Sequence, residues 1–166
     1  SGKVFRINRK GKVVEVFSNE SSLIHIIDFY EDNLISNGLF TIKAIDLKTE
    51  TIKTIASTTA VKETSITDDG RFILATSHGV LVYKSNKNGE FEVIENYLLG
   101  RTNSISYSAF EDSYLAATVK GLFYLKNGEK SELKYDGNKI ICTKLTTDGI
   151  YHYVGTTTMG ILVFKD

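Results

Sequence analysis

The sequence predicts an all-β protein. It is expected to be a β-propeller of four-stranded antiparallel blades, with about four repeats present as part of a larger ring. Three observations predict it. A glycine that opens a short apolar run recurs at Gly38, Gly79, Gly121 and Gly160, at intervals of 41, 42 and 39 residues. The runs occupy residues 39–42, 80–83, 122–125 and 161–164. A hydroxyl residue closes another β-rich run just before each glycine, at Ser36, Thr76, Thr118 and Thr156. No segment shows a convincing helical period, and short strands recurring at about 40 residues are the signature of a propeller blade.

Each period divides into strands a to d, counted from the axis outward. The third period is clearest. Strand a covers 64–67, Asp68-Asp69-Gly70 turns the chain, and strand b covers 71–76. Ser77-His78 links to strand c at 80–84, and Asn86-Lys87-Asn88-Gly89 turns into strand d at 91–94. Strand b places Phe72 and Leu74 on one face and Ile73 and Ala75 on the other, the pattern of a strand buried on both sides. Phe91-Glu92-Val93-Ile94 is nearer the alternation of a half-buried strand. The second period places a at 23–29, b at 34–36, c at 39–47 and d at 51–55. The fourth places them at 104–110, 114–118, 122–126 and 132–135, and the last has a at 140–145, b at 151–156 and c at 161–166. At the start, Val4-Phe5-Arg6-Ile7 aligns with Leu39-Phe40-Thr41-Ile42, so the chain begins in a strand c, followed by d at 12–17. The expected division is a partial blade 1–20, blades 21–60, 61–101 and 102–138, and a partial blade 139–166. Strand c at both ends leaves one copy surplus in a closed ring, which favours a piece of a larger propeller.

Composition narrows the function. Lys+Arg and Asp+Glu are both 20 in 166 residues, so no charge excess marks a nucleic-acid or acidic-membrane partner. No apolar run approaches the ~20 residues of a membrane-spanning helix. Lys3, Arg6, Arg9 and Lys10 are interspersed with apolar residues and read as a strand, not a leader. Proline is absent, so turns fall to Asn, Asp, Gly and Lys, as in Lys126-Asn127-Gly128 and Asp136-Gly137-Asn138. The single cysteine, Cys142, follows Ile140-Ile141 and is expected in the core.

No cofactor or metal is expected. His25, His78 and His152 fall at different strand positions, and no His or Cys pair has zinc spacing. The turn acids Asp69, Asp112 and Asp148 lack the calcium-loop spacing and read as turn formers. Nucleotide loops and hydrolase elbows are absent. The hydroxyls of Thr76, Thr118 and Thr156 recur in register, which argues for a structural bond to nearby backbone and against catalysis. Tyr30, Tyr97, Tyr107 and Tyr135 are the rings least clearly turned inward, and Asn19-Glu20-Ser21 fits a glycosylation acceptor.

One stretch carries a family resemblance. Asp69-Gly70-Arg71-Phe72-Ile73-Leu74-Ala75-Thr76 followed by Gly79-Val80-Leu81-Val82-Tyr83 resembles the repeat of two-component regulator propellers, Asp-Gly-x-Leu-Trp-Ile-Gly-Thr then Gly-Leu, apolar residues and an aromatic. Tyr151-His152-Tyr153-Val154-Gly155-Thr156 with Gly160-Ile161-Leu162-Val163-Phe164 resembles it from the Trp onward, and residues 114–118 with 121–124 more loosely. Ile73, Leu115 and Tyr153 stand where the family has Trp. The Trp-Asp and Gly-His signatures of WD repeats are missing. The resemblance implies an extracytoplasmic, non-catalytic sensor domain that binds a small molecule or glycan. The alternative is an intracellular propeller scaffold for a protein partner, with homo-oligomerisation open. The compartment is periplasmic for a sensor and cytoplasmic for a scaffold.

In propeller geometry the b–c and d–a links share one rim, and loops on a rigid scaffold concentrate function. The candidate ligand- or partner-binding residues are therefore Asn37, Ser77, His78, Arg101, Lys120 and Met159.

Overall fold

A computed structural model describes residues 2–19, 26–37, 40–49, 51–58 and 60–165. Gly38 and Leu39 of the repeat, residues 23–25 of the expected second-period strand a, His25, and Glu20-Ser21 of the glycosylation pattern lie outside the described residues. Every regular element among the described residues is a β-strand. The chain forms two compact units, Ser1–Ala60 and Val61–Asp166.

In the first unit β1 (Gly2–Ile7) pairs with β2 (Val13–Asn19) as an antiparallel hairpin. Asn8 organises the turn, its Oδ1 accepting the amides of Lys10 at 2.9 Å and Lys12 at 3.0 Å. β3 (Ile26–Tyr30), β4 (Asn33–Asn37), β5 (Thr41–Asp46) and β6 (Ile52–Ser57) form a four-stranded antiparallel sheet in chain order. Leu34 and Ile45 are buried and pack with Leu47.

The second unit holds three sheets. β7 (Val61–Ile66), β8 (Phe72–Thr76), β9 (Gly79–Ser85) and β10 (Phe91–Leu98) form the first. β11 (Thr102–Ser108), β12 (Ser113–Thr118), β13 (Gly121–Lys126), β14 (Glu129–Tyr135) and the two-residue β15 (Asn138–Lys139) form the second. β16 (Cys142–Thr147), β17 (Tyr151–Thr156) and β18 (Ile161–Lys165) form the third. All pairings are antiparallel between chain neighbours, the up-and-down order that short turns impose.

Burial follows the sequence gradient. All five residues of β8 and all six of β12 are buried, while β14 is exposed or half-buried along its length. Ile73, Val80, Val82, Tyr97, Ile105, Tyr114, Ala116 and Leu125 form a core between the first two sheets. Leu115, Leu122, Ile140, Cys142, Leu145 and Val154 form a core between the second and third. Each fully buried Leu or Ile contributes about 1.5–3 kcal/mol over its exposed state, so these cores hold the sheets face to face.

The inner strands β7, β11 and β16 lie side by side, joined by a repeated bond. Glu63 Oε2 accepts Ile105 N at 3.2 Å, and one sheet further Ser104 Oγ accepts Leu145 N at 3.0 Å. Glu63 also pairs with Lys144. Register shifts fall at one equivalent place in three sheets, at 61/63, 102/104 and 142/144, a bulge beside each b–c link.

Three expectations change. β10 runs to Leu98, four residues beyond the expected end of strand d, which carries Tyr97 into the core at 2% exposure. β11 stops at Ser108, so Phe110 lies in the turn and is 84% exposed. Lys139 and Asn138, read as a turn and link, pair with Lys134 and Tyr135.

Candidate functional site

The b–c links are built by one device. Thr76 Oγ1 donates to Gly79 O at 3.0 Å and accepts the amides of His78 and Gly79, both at 3.2 Å. Thr118 Oγ1 does the same with Gly121 O at 2.9 Å, Lys120 N at 3.0 Å and Gly121 N at 3.1 Å. Thr156 Oγ1 donates to Gly160 O at 2.8 Å and accepts Met159 N at 2.8 Å across a link one residue longer. Thr76 and Thr118 are buried and Thr156 is half-buried. The expected backbone role of these hydroxyls therefore holds, and it ties up their lone pairs and protons.

The glycines are required by the same geometry. Gly79 and Gly121 have φ of +146° and +152°, where a side chain is strained. A Cβ on Gly79 would also lie 1.9 Å from Tyr97 O, whereas on Gly121 the nearest atom is Glu132 Oε1 at 3.1 Å.

Backbone bonds gather part of the expected rim. His78 O accepts Gly100 N at 3.0 Å and Leu99 N at 3.3 Å, and Arg101 O accepts Val119 N at 3.1 Å. The end of the Lys120 side chain lies over Gly100, its Cε 3.8 Å from where a Cβ would stand. Ser77, His78, Arg101 and Lys120 thus surround one turn, and the last three are exposed. Arg101 Nε donates to Asn103 Oδ1 at 3.2 Å. Met159 sits half-buried in the β17–β18 link, with no contact to that group among those described. Asn37 ends β4 in the first unit.

A second polar centre was not anticipated. Arg71 is 8% exposed and stands at the head of β8. Its Nε donates to Asp69 Oδ1 at 2.9 Å, Nη1 to Tyr114 Oη at 2.9 Å, and Nη2 to Tyr107 Oη at 2.8 Å and Asp112 Oδ1 at 2.5 Å. The guanidinium carbon lies 5.1 Å from the Tyr107 ring centroid and 6.0 Å from that of Tyr114. Tyr114 Oη donates onward to Glu95 Oε1 at 3.2 Å, and Glu95 accepts the Tyr97 hydroxyl, which itself accepts Gly128 N at 3.1 Å. Burial alone would raise the Asp69 carboxyl, but bonds from Thr67, Arg71 and Lys84 outweigh it and hold it well below the usual range. The Arg71 bond lowers Asp112 likewise. Burial and then the Glu95 charge raise Tyr114. Asp69 and Asp112, read as turn formers, therefore also anchor this centre. Asp148 keeps the turn role, accepting Tyr151 N at 2.8 Å and Ile150 N at 2.9 Å. The missed signal was the period itself, since Arg71 and Asp112 lie about one repeat apart.

Between the second and third sheets, buried His152 Nδ1 shares a hydrogen bond of 2.9 Å with buried Ser106 Oγ. His152 also borders a cavity of about 130 Å³ with Glu111, Ser113, Tyr124 and Phe164. Cys142 is buried as expected, and burial pushes its thiol up to about 11. Among the described residues no three His, Cys, Asp or Glu side chains group as metal ligands.

No protein-family model and no curated protein sequence matches the chain. Solved structures do. The computationally designed protein Ika4 superposes with a TM-score of 0.69 at 12% identity, covering 89% of this chain and 93% of its own. The computationally designed Ika8 gives 0.70 at 13%, covering 99% and 56%. Virginiamycin B lyase from Staphylococcus aureus gives 0.65 at 14%, covering 99% and 63%. The chain thus spans less than two thirds of the length of the last two. At such identities the likeness concerns the fold, and with the antiparallel sheets above it makes the chain an all-β protein of β-propeller fold.

Proposed function

We propose that the chain is a non-catalytic ligand-binding part of an extracytoplasmic sensor of the two-component type, holding its ligand around Gly100 with His78, Arg101 and Lys120. The observation that carries this reading is that these three exposed residues, from two successive sheets, meet at the turn through Gly100. Arg101 and Lys120 bring two basic side chains to this turn, so the ligand presents an anionic group. An oligosaccharide bearing a carboxylate combines that charge with the glycan chemistry implied by the repeat resemblance. The non-catalytic part is supported by the places of several of the described nucleophiles. Thr76 and Thr118 are spent on the links, and Ser106 with His152 and Cys142 are buried.

Calorimetric titration with neutral and uronate-containing oligosaccharides tests the reading. The acidic series should bind, and the double variant Arg101→Ala/Lys120→Ala should lose affinity by about tenfold or more, as expected when two charge-assisted contacts go. Lys87→Ala, on the β9–β10 turn, should change nothing. Binding of neither series, or equal binding by the double variant, sinks it. The scaffold reading is the alternative, and binding of neither oligosaccharide series would favour it.

A further inference from the structure

Two hairpin turns carry the same four residues, Lys-Asn-Gly-Glu, at 87–90 and 126–129. The first joins β9 to β10 and the second joins β13 to β14. Both asparagines are exposed. In an Asn-Gly pair the glycine's main-chain nitrogen reaches the asparagine's side-chain carbonyl with no β-carbon in the way. The two sites are therefore chemically alike, and whatever separates them is structure.

At the first turn Gly89 N donates to Asn86 O at 2.9 Å and Asn86 N to Glu90 O at 2.7 Å. Asn86 Oδ1 accepts Asn88 N at 2.9 Å and Glu90 N at 3.0 Å. These bonds join only residues 86–90, so the turn opens by itself. Packing resumes at Phe91, whose ring meets that of Phe72 edge-on at 5.2 Å. At the second turn Lys126 pairs directly with Glu129, and Asn127 and Gly128 have φ of +52° and +79°, the tight two-residue connection. Here Gly128 N donates to Tyr97 Oη of the neighbouring sheet at 3.1 Å. Tyr97 is buried and its hydroxyl donates onward to Glu95. Freeing Gly128 N lifts the hairpin off another sheet, and openings that part packed elements cost more than those confined to a loop.

We propose that Asn88 is a site of spontaneous deamidation and that Asn127, in the same tetrapeptide, is shielded by the Tyr97 hydroxyl. When the first turn opens, Gly89 N gives its proton to solvent base and attacks Asn88 Cγ. The N–Cγ bond forms, the Cγ–Nδ2 bond breaks, and the amide nitrogen takes up solvent protons and leaves as ammonia. A five-membered succinimide remains. Water then opens it at one of its two carbonyls, giving aspartate or isoaspartate, and nothing is oxidised or reduced. Either product adds one carboxylate to a chain of zero formal net charge. Isoaspartate also lengthens the main chain by a methylene, but outside the β9–β10 ladder, which begins at the pair Ser85 and Phe91. The sheet therefore survives the change.

Peptide mapping by mass spectrometry, on the full chain held in mildly alkaline buffer, reads both sites in one sample. Asn88 should convert faster than Asn127 by about tenfold, the scale of one hydrogen bond, and in proportion to hydroxide concentration. In urea, where neither turn is held, the two rates should coincide. Tyr97→Phe should speed conversion at Asn127 and leave Asn88 as it was. Asn86→Ala, which removes the acceptor that ties the first turn together, should speed Asn88 alone, and it carries the test if Tyr97→Phe does not fold. Conversion of Asn127 as fast as Asn88 in the folded chain, or a ratio that persists in urea, overturns the proposal. So does a folded Tyr97→Phe variant whose Asn127 stays slow, or an Asn86→Ala variant whose Asn88 is no faster.

Discussion

Replacing Thr118 by Val removes one hydroxyl and keeps the shape, so it isolates the link device. Gly121 O and Gly121 N lose their partner in a fully buried setting, and Lys120 N loses its partner in a half-buried one. A neutral hydrogen bond contributes ~0.5–1.5 kcal/mol and a buried group left unpaired costs ~1–3 kcal/mol. Two buried losses and one partial loss come to about 3 kcal/mol. Thr156→Val is the internal control. Its bond to Gly160 O is exposed and that from Met159 N half-buried, so water replaces much of what is lost, and the cost is about 0.5–1 kcal/mol. Urea unfolding monitored by tyrosine circular dichroism reads both. With a slope of ~2 kcal/mol per molar, Thr118→Val lowers the midpoint by about 1.5 M and Thr156→Val by less than about 0.5 M. Thr118→Ser, which keeps the hydroxyl, should stay within about 1 kcal/mol of the parent. Equal losses for Thr118→Val and Thr156→Val, or a loss for Thr118→Ser as large as for Thr118→Val, would refute the reasoning.

Gly79→Ala combines a forbidden φ with a Cβ 1.9 Å from Tyr97 O. It should cost more than about 3 kcal/mol, against ~1–3 kcal/mol for Gly121→Ala, where a flexible Glu132 side chain can yield; thermal melts that rank them the other way reject the account. Asp69 and Asp112 sit below the ordinary value of 3.8 in the fold. Depressed carboxylates stabilise above the unfolded value, and that stability drains as pH falls through the folded one. Urea midpoints should therefore decline below about pH 4, and less steeply in Arg71→Met, which is already weaker at neutral pH; parallel curves for the two proteins would count against the Arg71 centre. Cys142, 2% exposed with its thiol at about 11, should react with iodoacetamide at the rate of protein opening, rising with urea; fast labelling of the folded protein contradicts its burial.

Strand positions were legible because each repeat restates them. A short apolar run, a hydroxyl and a glycine recur at one spacing, and four imperfect copies correct each other. Tyr97 was not legible, because Glu95-Asn96 before it looks like the end of a wet strand, and only the bulge between Val93 and Glu95 carries the ring to the buried side. Phe110 erred the other way, since an aromatic next to a strand reads as core, yet the chain has already turned at Ala109. Arg71 follows Asp-Gly and resembles a solvated turn residue. Its burial comes from Tyr107, Asp112 and Tyr114 in the next sheet, and local composition does not reveal such partners. At the rim, the grouping of His78, Arg101 and Lys120 followed from topology, because link residues of adjacent sheets meet at one end.

The threonine links and the Arg71 centre have opposite consequences for how such a chain diversifies. Every atom of a link belongs to one hairpin, so a duplicated copy arrives with its own joint intact and fits beside any neighbour. The Arg71 centre is shared between two particular sheets and has no counterpart at the next junction, where His152 and Ser106 stand instead. It acts as an address label. Shuffling the order of the sheets would strand a buried guanidinium, so the joints permit repetition while this one junction records which copy must follow which.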